Sequence, residues 1–144
     1  MDRKKFLSIV GMSAGAYVLI RCLNACKPSG AAYPAPPTNV NITLNLWESA
    51  NSALNQKGGY IYTGGLIIAC VNPGSTYIAV SEYCTHQGTA VVYRSSSNDF
   101  YCSNHGSAFA SNGPVTKGPA GVSLKQYNTA IIASSSGNSV HVFS

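Results

Sequence analysis

Apolar and polar residues alternate along much of the chain with a period of two, which is typical of β-strands that bury one face. One clear instance places four apolar side chains on one side of a short stretch: Val40, Ile42, Leu44 and Leu46. Two further apolar runs, GLIIACV and STYIAVS, are separated by Asn-Pro-Gly at 72–74, a sequence that favours a tight turn. The pattern predicts short strands joined by turns.

The second half of the chain repeats this organisation. AVVYR and DFYC flank the polar residues 95–98, and NTAIIAS and SVHVFS flank 135–138, so each set predicts a β-hairpin. One short helical turn is predicted within 47–59. About eight short strands with turns between them predict one all-β domain, a sandwich or barrel, over residues 39–144. Trp47 and the tyrosines are predicted to be core and edge aromatic residues of this domain.

The charge pattern excludes nucleic-acid binding. The chain has a formal net charge of +5, but four of its basic residues lie near the N-terminus: Arg3, Lys4, Lys5 and Arg21. From residue 27 onward the net charge is near +2. Because no basic cluster or stripe remains there, a nucleic-acid partner is not expected.

Residues 1–26 have the pattern of an export signal. A short basic start precedes the apolar run from Phe6 to Ile20, which is too short for a membrane-spanning helix of about 20 residues. The sequence Leu-Asn-Ala-Cys ending at Cys26 resembles a bacterial lipobox, in which the cysteine is lipidated. We therefore predict a signal peptide with a lipobox over 1–26. A plain signal peptide with a free Cys26 is the alternative.

The export route and the segment after the signal are also predicted. Arg3 to Leu7 resembles a weakened twin-arginine signal, although an ordinary basic start explains it equally well. Residues 27–38 contain four prolines, and such segments are extended and semi-rigid, so they predict a tether. The protein is then expected to be lipid-anchored on the periplasmic or cell-envelope face of a bacterial membrane.

Four residues of ligand type fall within a short span: Cys84, His86, Cys102 and His105. Each Cys–His set follows a predicted strand, so both lie on loops. Two cysteines and two histidines could hold structural zinc or a [2Fe–2S] cluster with two ligands on each iron. Coincidence is a third possibility, since free cysteines are often buried as small apolar residues, as we predict for Cys70.

The residues around these four closely resemble the Rieske family. The matching motifs are CTHQG at 84–88, CSNHGS at 102–107 and GPA at 118–120, and the resemblance extends from Gly58 to Tyr127. It implies an all-β fold of three antiparallel sheets, with one [2Fe–2S] cluster per chain at the tip of a small cluster-binding subdomain. By the resemblance, Cys84 and Cys102 bind the inner iron, and His86 and His105 bind the outer iron.

The resemblance also implies roles for four neighbouring residues. Gly88 and Gly106 allow the backbone to turn sharply and to pass close to sulfur, Ser107 donates a hydrogen bond to a bridging sulfide, and Pro119 covers the cluster.

The chain departs from the quinol-oxidising members of the family in three places. Thr89 and Asn104 replace the two cysteines of an inter-loop disulfide, so we expect the cluster and hydrogen bonds to hold the loops together. Phe109 replaces a tyrosine whose hydroxyl bonds a cysteine sulfur, which predicts an intermediate reduction potential. His141 lies outside the motifs and is predicted to be an ordinary strand residue.

The expected function is one-electron transfer by an exported, lipid-anchored protein that acts with an unidentified redox partner protein. No catalytic base, nucleophile or substrate pocket is visible, so a carrier or redox subunit is favoured over a stand-alone enzyme. An electron-transfer subunit of an extracytoplasmic oxidoreductase is an alternative, although the missing disulfide and the missing transmembrane anchor argue against the quinol complex. A zinc-binding structural β-domain is the other alternative.

Overall fold

The structure is a computed structural model that describes residues 33–135 and 137–144. These residues form ten strands and a 3-10 helix, Ser49–Asn55. The strands are β1 (Asn41–Asn45), β2 (Tyr60–Thr63), β3 (Leu66–Asn72), β4 (Thr76–Ser81), β5 (Val92–Arg94), β6 (Asp99–Tyr101), β7 (Ala108–Ala110), β8 (Val115–Lys117), β9 (Gln126–Ile132) and β10 (Ser139–Phe143). The all-β prediction is confirmed, and the three predicted hairpins β3–β4, β5–β6 and β9–β10 are present.

The strands of the described residues form two antiparallel sheets. Six strands have the order β1-β10-β9-β4-β3-β2, and four have the order β5-β6-β7-β8. The larger sheet consists of two three-stranded halves, β1-β10-β9 and β4-β3-β2. They are joined by two residue pairs between β4 and β9, Ala79 with Tyr127 and Val80 with Gln126. The three expected antiparallel sheets are therefore recognisable, with two of them joined at this narrow junction.

The four-stranded sheet carries the residues that the sequence analysis singled out. It is inserted in the chain between β4 and β9. Residues 84–89, here the first loop, follow β4, and residues 102–107, the second loop, connect β6 to β7. Residues 118–122, the proline loop, follow β8. The small sheet thus brings three loops together.

The position of β3 between two cores accounts for its unbroken apolar sequence. Its residues 66–70 are all 0% exposed. Because successive side chains of a strand point to opposite faces, Leu66, Ile68 and Cys70 pack into one core, and Ile67 and Ala69 pack into the other. The strand therefore separates a first core, shared with β1 and β10, from a second core beneath the three loops. Cys70 is a buried small residue, as predicted.

The first core also confirms the alternating pattern at the start of the domain. Val40, Leu44 and Leu46 are buried there. The predicted helical turn is the 3-10 helix, which adds the fully buried Leu54. The side-chain amide of Asn51 donates to the carbonyl of Asn45 at 2.9 Å, which fixes the helix at the end of β1.

Trp47 does not pack in the core as a β-domain aromatic residue would; it is 75% exposed. It follows the buried Leu46 in the turn after β1, where its side chain lies in solvent. Tyr77, Tyr93 and Tyr127 are buried, as predicted. His141 lies in β10 beside the side chain of Asn41 on β1, away from the three loops, in agreement with its prediction as a strand residue.

The N-terminal predictions fall mostly outside the described residues. The signal peptide and lipobox (1–26) and the first part of the tether (27–32) are not described. In the described part of the chain, no helix has the length and apolarity needed to cross a membrane. Residues 33–37 contact the domain, because the carbonyl of Pro37 accepts hydrogen bonds from Lys125 Nζ at 3.1 Å and from the Tyr127 hydroxyl at 2.8 Å.

Candidate metal centre

The first and second loops share one backbone hydrogen-bonding pattern. The Cys84 N–H donates to the carbonyl of Thr89, and the Gly88 N–H donates back to the Cys84 carbonyl, both at 2.8 Å. The second loop repeats these bonds, from its cysteine to the residue five positions later at 2.9 Å and from Gly106 back to Cys102 at 3.0 Å. Two loops of different sequence therefore fold alike, each with a cysteine at its start.

Both loops need glycine at the turn. Gly88 has φ 74° and Gly106 has φ 79°, a conformation that residues with a Cβ atom rarely adopt. A Cβ on Gly88 would lie 3.3 Å from Tyr33 Cβ, and one on Gly106 would have the Tyr101 hydroxyl at 3.8 Å as its nearest neighbour. The predicted sharp turn is present in both loops, and the protein atoms nearest each missing Cβ belong to Tyr33 and Pro34 at Gly88 and to Tyr101 at Gly106.

The two cysteines lie together under the loops. Cys84 and Cys102 are each 1% exposed and pack in the second core with Phe109. Burial raises the pKa of the Cys84 thiol; the His86 backbone N–H acts in the opposite direction, and the adjacent Cys102 thiol raises the pKa further. Because burial disfavours an isolated thiolate, these thiols would bind as thiolates only beside a cation, which a metal cofactor would supply.

The two histidines meet nearer the surface. The Nδ1 atoms of His86 and His105 are 3.2 Å apart, with ring centroids at 4.7 Å and the rings nearly perpendicular, at 88°. Two imidazole nitrogens, each about 2.1 Å from a shared metal, lie roughly 3.0–3.4 Å apart for bond angles between about 90° and 109°. His105 is exposed and His86 is half-buried. The imidazoles could therefore share one metal at the outer edge of the site.

The four side chains form two pairs and do not surround a common point. Among residues 33–135 and 137–144, no three His, Cys, Asp or Glu side chains group closely enough to hold a single metal ion. Structural zinc takes four ligands around one centre, which these pairs do not provide. A thiol pair below an imidazole pair fits a cofactor with two metal atoms that takes two protein ligands on each.

The proline loop is bonded to both other loops. The Ala120 N–H donates to Ser107 Oγ at 3.0 Å, which links it to the second loop. The Thr85 hydroxyl donates to the carbonyl of Val122 at 2.5 Å, which links it to the first. Pro119 follows a cis peptide bond and is exposed, like Val122. Two hydroxyl groups thus fasten the three loops to one another.

A sequence model described as the Rieske [2Fe–2S] domain matches residues 48–128, more than half of the chain. The chain belongs to the Rieske [2Fe–2S] family. Its cofactor is accordingly a [2Fe–2S] cluster, and it transfers electrons by means of that cluster. The paired geometry of the candidate ligands agrees with this identification.

Curated relatives of this Rieske protein include iron–sulfur subunits of the cytochrome b6-f complex. The subunit from Chlorobaculum thiosulfatiphilum is 35% identical over 132 residues, which cover 90% of this chain and 71% of the relative. The subunit from Synechococcus sp. strain CC9605 is 40% identical over 149 residues, covering 91% and 80%. Redox partner proteins are therefore implied for this chain as well.

Solved structures agree on the fold. A cyanobacterial plasma-membrane Rieske protein from Synechocystis PCC 6803 is 27% identical, with a TM-score of 0.51 covering 73% of this chain and 99% of that one. The ferredoxin of carbazole 1,9a-dioxygenase from Nocardioides aromaticivorans IC177 is 17% identical, with a TM-score of 0.52 covering 74% and 98%, and shares the fold.

This Rieske protein has no disulfide between its loops in the part of the chain that the structure describes. Cys70, Cys84 and Cys102 are free thiols, and Thr89 and Asn104 stand in the first and second loops. Cys70 packs in the first core, so it is separated from the loops by the sheet. The hydroxyl links through the proline loop agree with the expectation that hydrogen bonds help to hold the loops together.

Some residues that support the site were missed by the sequence analysis. Thr85 lies between two candidate ligands in the CTHQG motif, so the sequence could have marked its hydroxyl as a supporting group. Its acceptor, the carbonyl of Val122, could not be predicted because it is distant in sequence. Tyr33 gave no signal, because its contact with Gly88 exists only in the folded chain. The ion pair of Arg94 and Asp99 belongs to the β5–β6 hairpin and supports the small sheet.

Proposed function

We propose that Cys84 and Cys102 bind the inner iron of the cluster and that His86 and His105 bind its outer iron. The observation that carries the assignment is the pairing of two buried thiols beneath two imidazoles whose Nδ1 atoms are 3.2 Å apart. Bound there, the cluster accepts and releases one electron at a time. The ligands would therefore make this protein a one-electron carrier.

The ligand set determines the range of the reduction potential. Two neutral imidazoles in place of two thiolates remove two negative charges, so the reduced state is less disfavoured and the potential falls within about −150 to +300 mV. The exposed ring of His105 offers the shortest route from the outer iron to solvent. A partner would exchange electrons at that edge.

Four further residues would support the cluster. Gly88 and Gly106 give the two loops their turns, through their positive φ angles. Ser107, fully buried, accepts the Ala120 N–H of the proline loop, and its hydroxyl would donate to a bridging sulfide. We propose that Pro119 covers the third side of the cluster. It belongs to the proline loop, which Thr85 and Ser107 hold in place.

We further propose that the protein is exported and lipid-anchored through Cys26. The basic start, the apolar run and the Leu-Asn-Ala-Cys sequence support this. Tyr33, which contacts the first loop, follows Cys26 by seven residues. A lipid on Cys26 would hold the protein at a membrane surface. Its partners would then be membrane proteins or proteins at the membrane surface.

A second candidate function is that of an electron-transfer subunit in an extracytoplasmic oxidoreductase. The identity to cytochrome b6-f iron–sulfur subunits over about nine-tenths of this chain favours it. Mild detergent extraction of the native host membrane separates the two candidates. A subunit co-purifies with a catalytic partner in fixed stoichiometry, whereas a carrier is recovered alone.

The deciding experiment is low-temperature EPR before and after dithionite, with iron and acid-labile sulfide analysis. We expect a silent oxidised state, a rhombic reduced signal with a low mean g value, and two irons and two sulfides per chain. His105→Ala should abolish the signal, and His141→Ala, which changes a histidine outside the site, should preserve it. Bound zinc without acid-labile sulfide would instead establish a structural β-domain.

A further inference from the structure

Residues Tyr33–Pro37, here the strap, pack along the domain and end beside the first loop. At its C-terminal end, the Pro37 carbonyl accepts the hydrogen bonds from Lys125 and Tyr127. The hydroxyl-bearing ring of Tyr127 is 3% exposed, and the Lys125 ammonium lies 5.0 Å from its centroid. Both donors are therefore held at the junction of β4 and β9, and they anchor the strap there.

A second contact fits the strap to the turn between β2 and β3. A Cβ on Gly65 would lie 3.1 Å from Pro37 Cγ, closer than most real Cβ contacts. The carbonyl of Gly65 accepts the N–H of Glu82 at 2.9 Å, just before the first loop. The anchor of the strap is thus connected to the chain segment that leads into the loop.

The N-terminal end of the strap lies against the first loop itself. The position of a Cβ on Gly88 is 3.3 Å from Tyr33 Cβ, 3.4 Å from Tyr33 Cα and 3.5 Å from Pro34 Cδ. The contact therefore involves the backbone of the strap and needs a residue without a side chain at Gly88. The positive φ of Gly88 favours the same residue, so the strap and the turn constrain this position together.

The strap distinguishes two loops that are otherwise alike. Among the described residues, only the Tyr101 hydroxyl lies near the matching position on Gly106, at 3.8 Å, so no described segment covers this position of the second loop. The loop with the strap carries the half-buried His86, and the loop without it carries the exposed His105.

We propose that the strap is a positioning segment for the first loop, which holds the His86 side of the site rigid and partly shielded from water. Its prediction about the reduction potential rests on the proposed ligand set. Its prediction about the rigidity of the first loop rests on the contacts alone. Because Tyr33 approaches Gly88 only with its Cα and Cβ atoms, truncating Tyr33 to alanine would keep the contact, and the strap is released by removing its anchor.

The test is the double variant Lys125→Met and Tyr127→Phe in the full chain, which removes both donors to Pro37 while keeping the side-chain bulk. Amide hydrogen exchange is measured for residues 84–89 and for residues 102–107 in protein with an intact cluster. Each lost hydrogen bond lowers the opening free energy by about 0.5–1.5 kcal/mol. Because two bonds are lost, exchange in the first loop should accelerate about five- to 150-fold, with the second loop unchanged.

Two controls isolate the strap. Tyr77→Phe removes the hydroxyl of another buried tyrosine, which accepts from the Gly74 N–H far from the loops at 3.1 Å, and Lys57→Met removes a lysine charge elsewhere. Equal acceleration in both loops, no acceleration, or the same effect in the Tyr77→Phe control would overturn the proposal.

The reduction potential provides a readout that a purely structural role would leave unchanged. Water admitted to the His86 side stabilises the more negative, reduced cluster, so the potential of the double variant should rise while those of the controls stay constant. An unchanged potential with a loosened first loop would refute the positioning role. Failure of the wild-type protein to show a Rieske EPR signal would instead refute the proposed function.

Discussion

Ser107 lies where the second loop, the proline loop and a candidate ligand meet, and its replacement by alanine tests the site most directly. Its side chain is fully buried and accepts the Ala120 N–H at 3.0 Å; burial raises the pKa of the nearby Cys84 thiol, and Ser107 lowers it. We propose that its hydroxyl donates a hydrogen bond to a sulfur of the bound cluster. Ser107→Ala deletes both bonds without adding bulk. The variant should therefore change both the reduction potential and the stability.

The two effects have different sizes. A hydrogen bond to a charged group contributes about 1.5–3 kcal/mol, and the sulfur is more negative in the reduced cluster. If about 1–1.5 kcal/mol of that bond is specific to the reduced state, the potential falls by roughly 40–65 mV, since 1.4 kcal/mol corresponds to about 59 mV for one electron. The unpaired Ala120 N–H costs about 1–3 kcal/mol of folding stability.

Redox titration followed by circular dichroism measures the potential, and urea unfolding measures the stability. Ser103→Ala is the matched control, because Ser103 is an exposed serine in the same loop. A shift of less than about 15 mV, which is below about 0.4 kcal/mol, or an increase in potential would refute the reasoning, provided that iron and sulfide remain stoichiometric.

Four further outcomes are expected. Phe109→Tyr adds a buried donor near the cysteines and should raise the potential by some tens of millivolts; a fall or no change in the redox titration contradicts this. Thr85→Val removes the bond to the proline loop and should lower the unfolding free energy by about 1 kcal/mol in urea titrations, with an equal value to the wild type as the contrary result. Hydrogen bonds from Arg94 lower the pKa of the Asp99 carboxyl, so its stabilising contribution is fully present above about pH 4 and is lost as the pH falls below that. Asp99→Asn should be less stable than the wild type at pH 7, the difference should shrink as the pH is lowered below about 4, and a pH-independent difference would exclude this account. Removing the cluster with a chelator should speed proteolysis within residues 84–107, because metal binding and local folding are coupled, and unchanged cleavage would show that the loops fold alone.

The strands were predictable where burial imposes a regular pattern over five or more residues. The alternation around β1 and the unbroken apolar run of β3 each follow from which faces the folded chain covers. Strands β7 and β8 were not predicted; β5 and β6 are equally short, with three residues each, but the polar residues 95–98 between them indicated a hairpin. Trp47 was assigned to the aromatic residues of the domain on residue type alone, and its position after the inward Leu46 places it in solvent.

The candidate ligands were predictable because ligand chemistry restricts residue type and spacing. Cysteine and histidine are the side chains suited to this cofactor, and short loops keep each pair close in sequence. The hydrogen bonds that support the ligand loops were harder to predict from the sequence. The acceptor of Thr85 lies in a loop that is distant along the chain, and the donor to Ser107 is a backbone N–H, which every residue except proline carries.

The sequence by itself determined the fold class, the family and the four candidate ligands of this protein, because strand periodicity and metal-ligand chemistry both act over short stretches of chain. The tertiary structure decided how those residues combine. It paired thiol with thiol and imidazole with imidazole, joined the loops through hydroxyl groups in the absence of a disulfide, and laid the strap against Gly88. These contacts join segments far apart in sequence, and their geometry depends on how the two sheets pack, which no local pattern records.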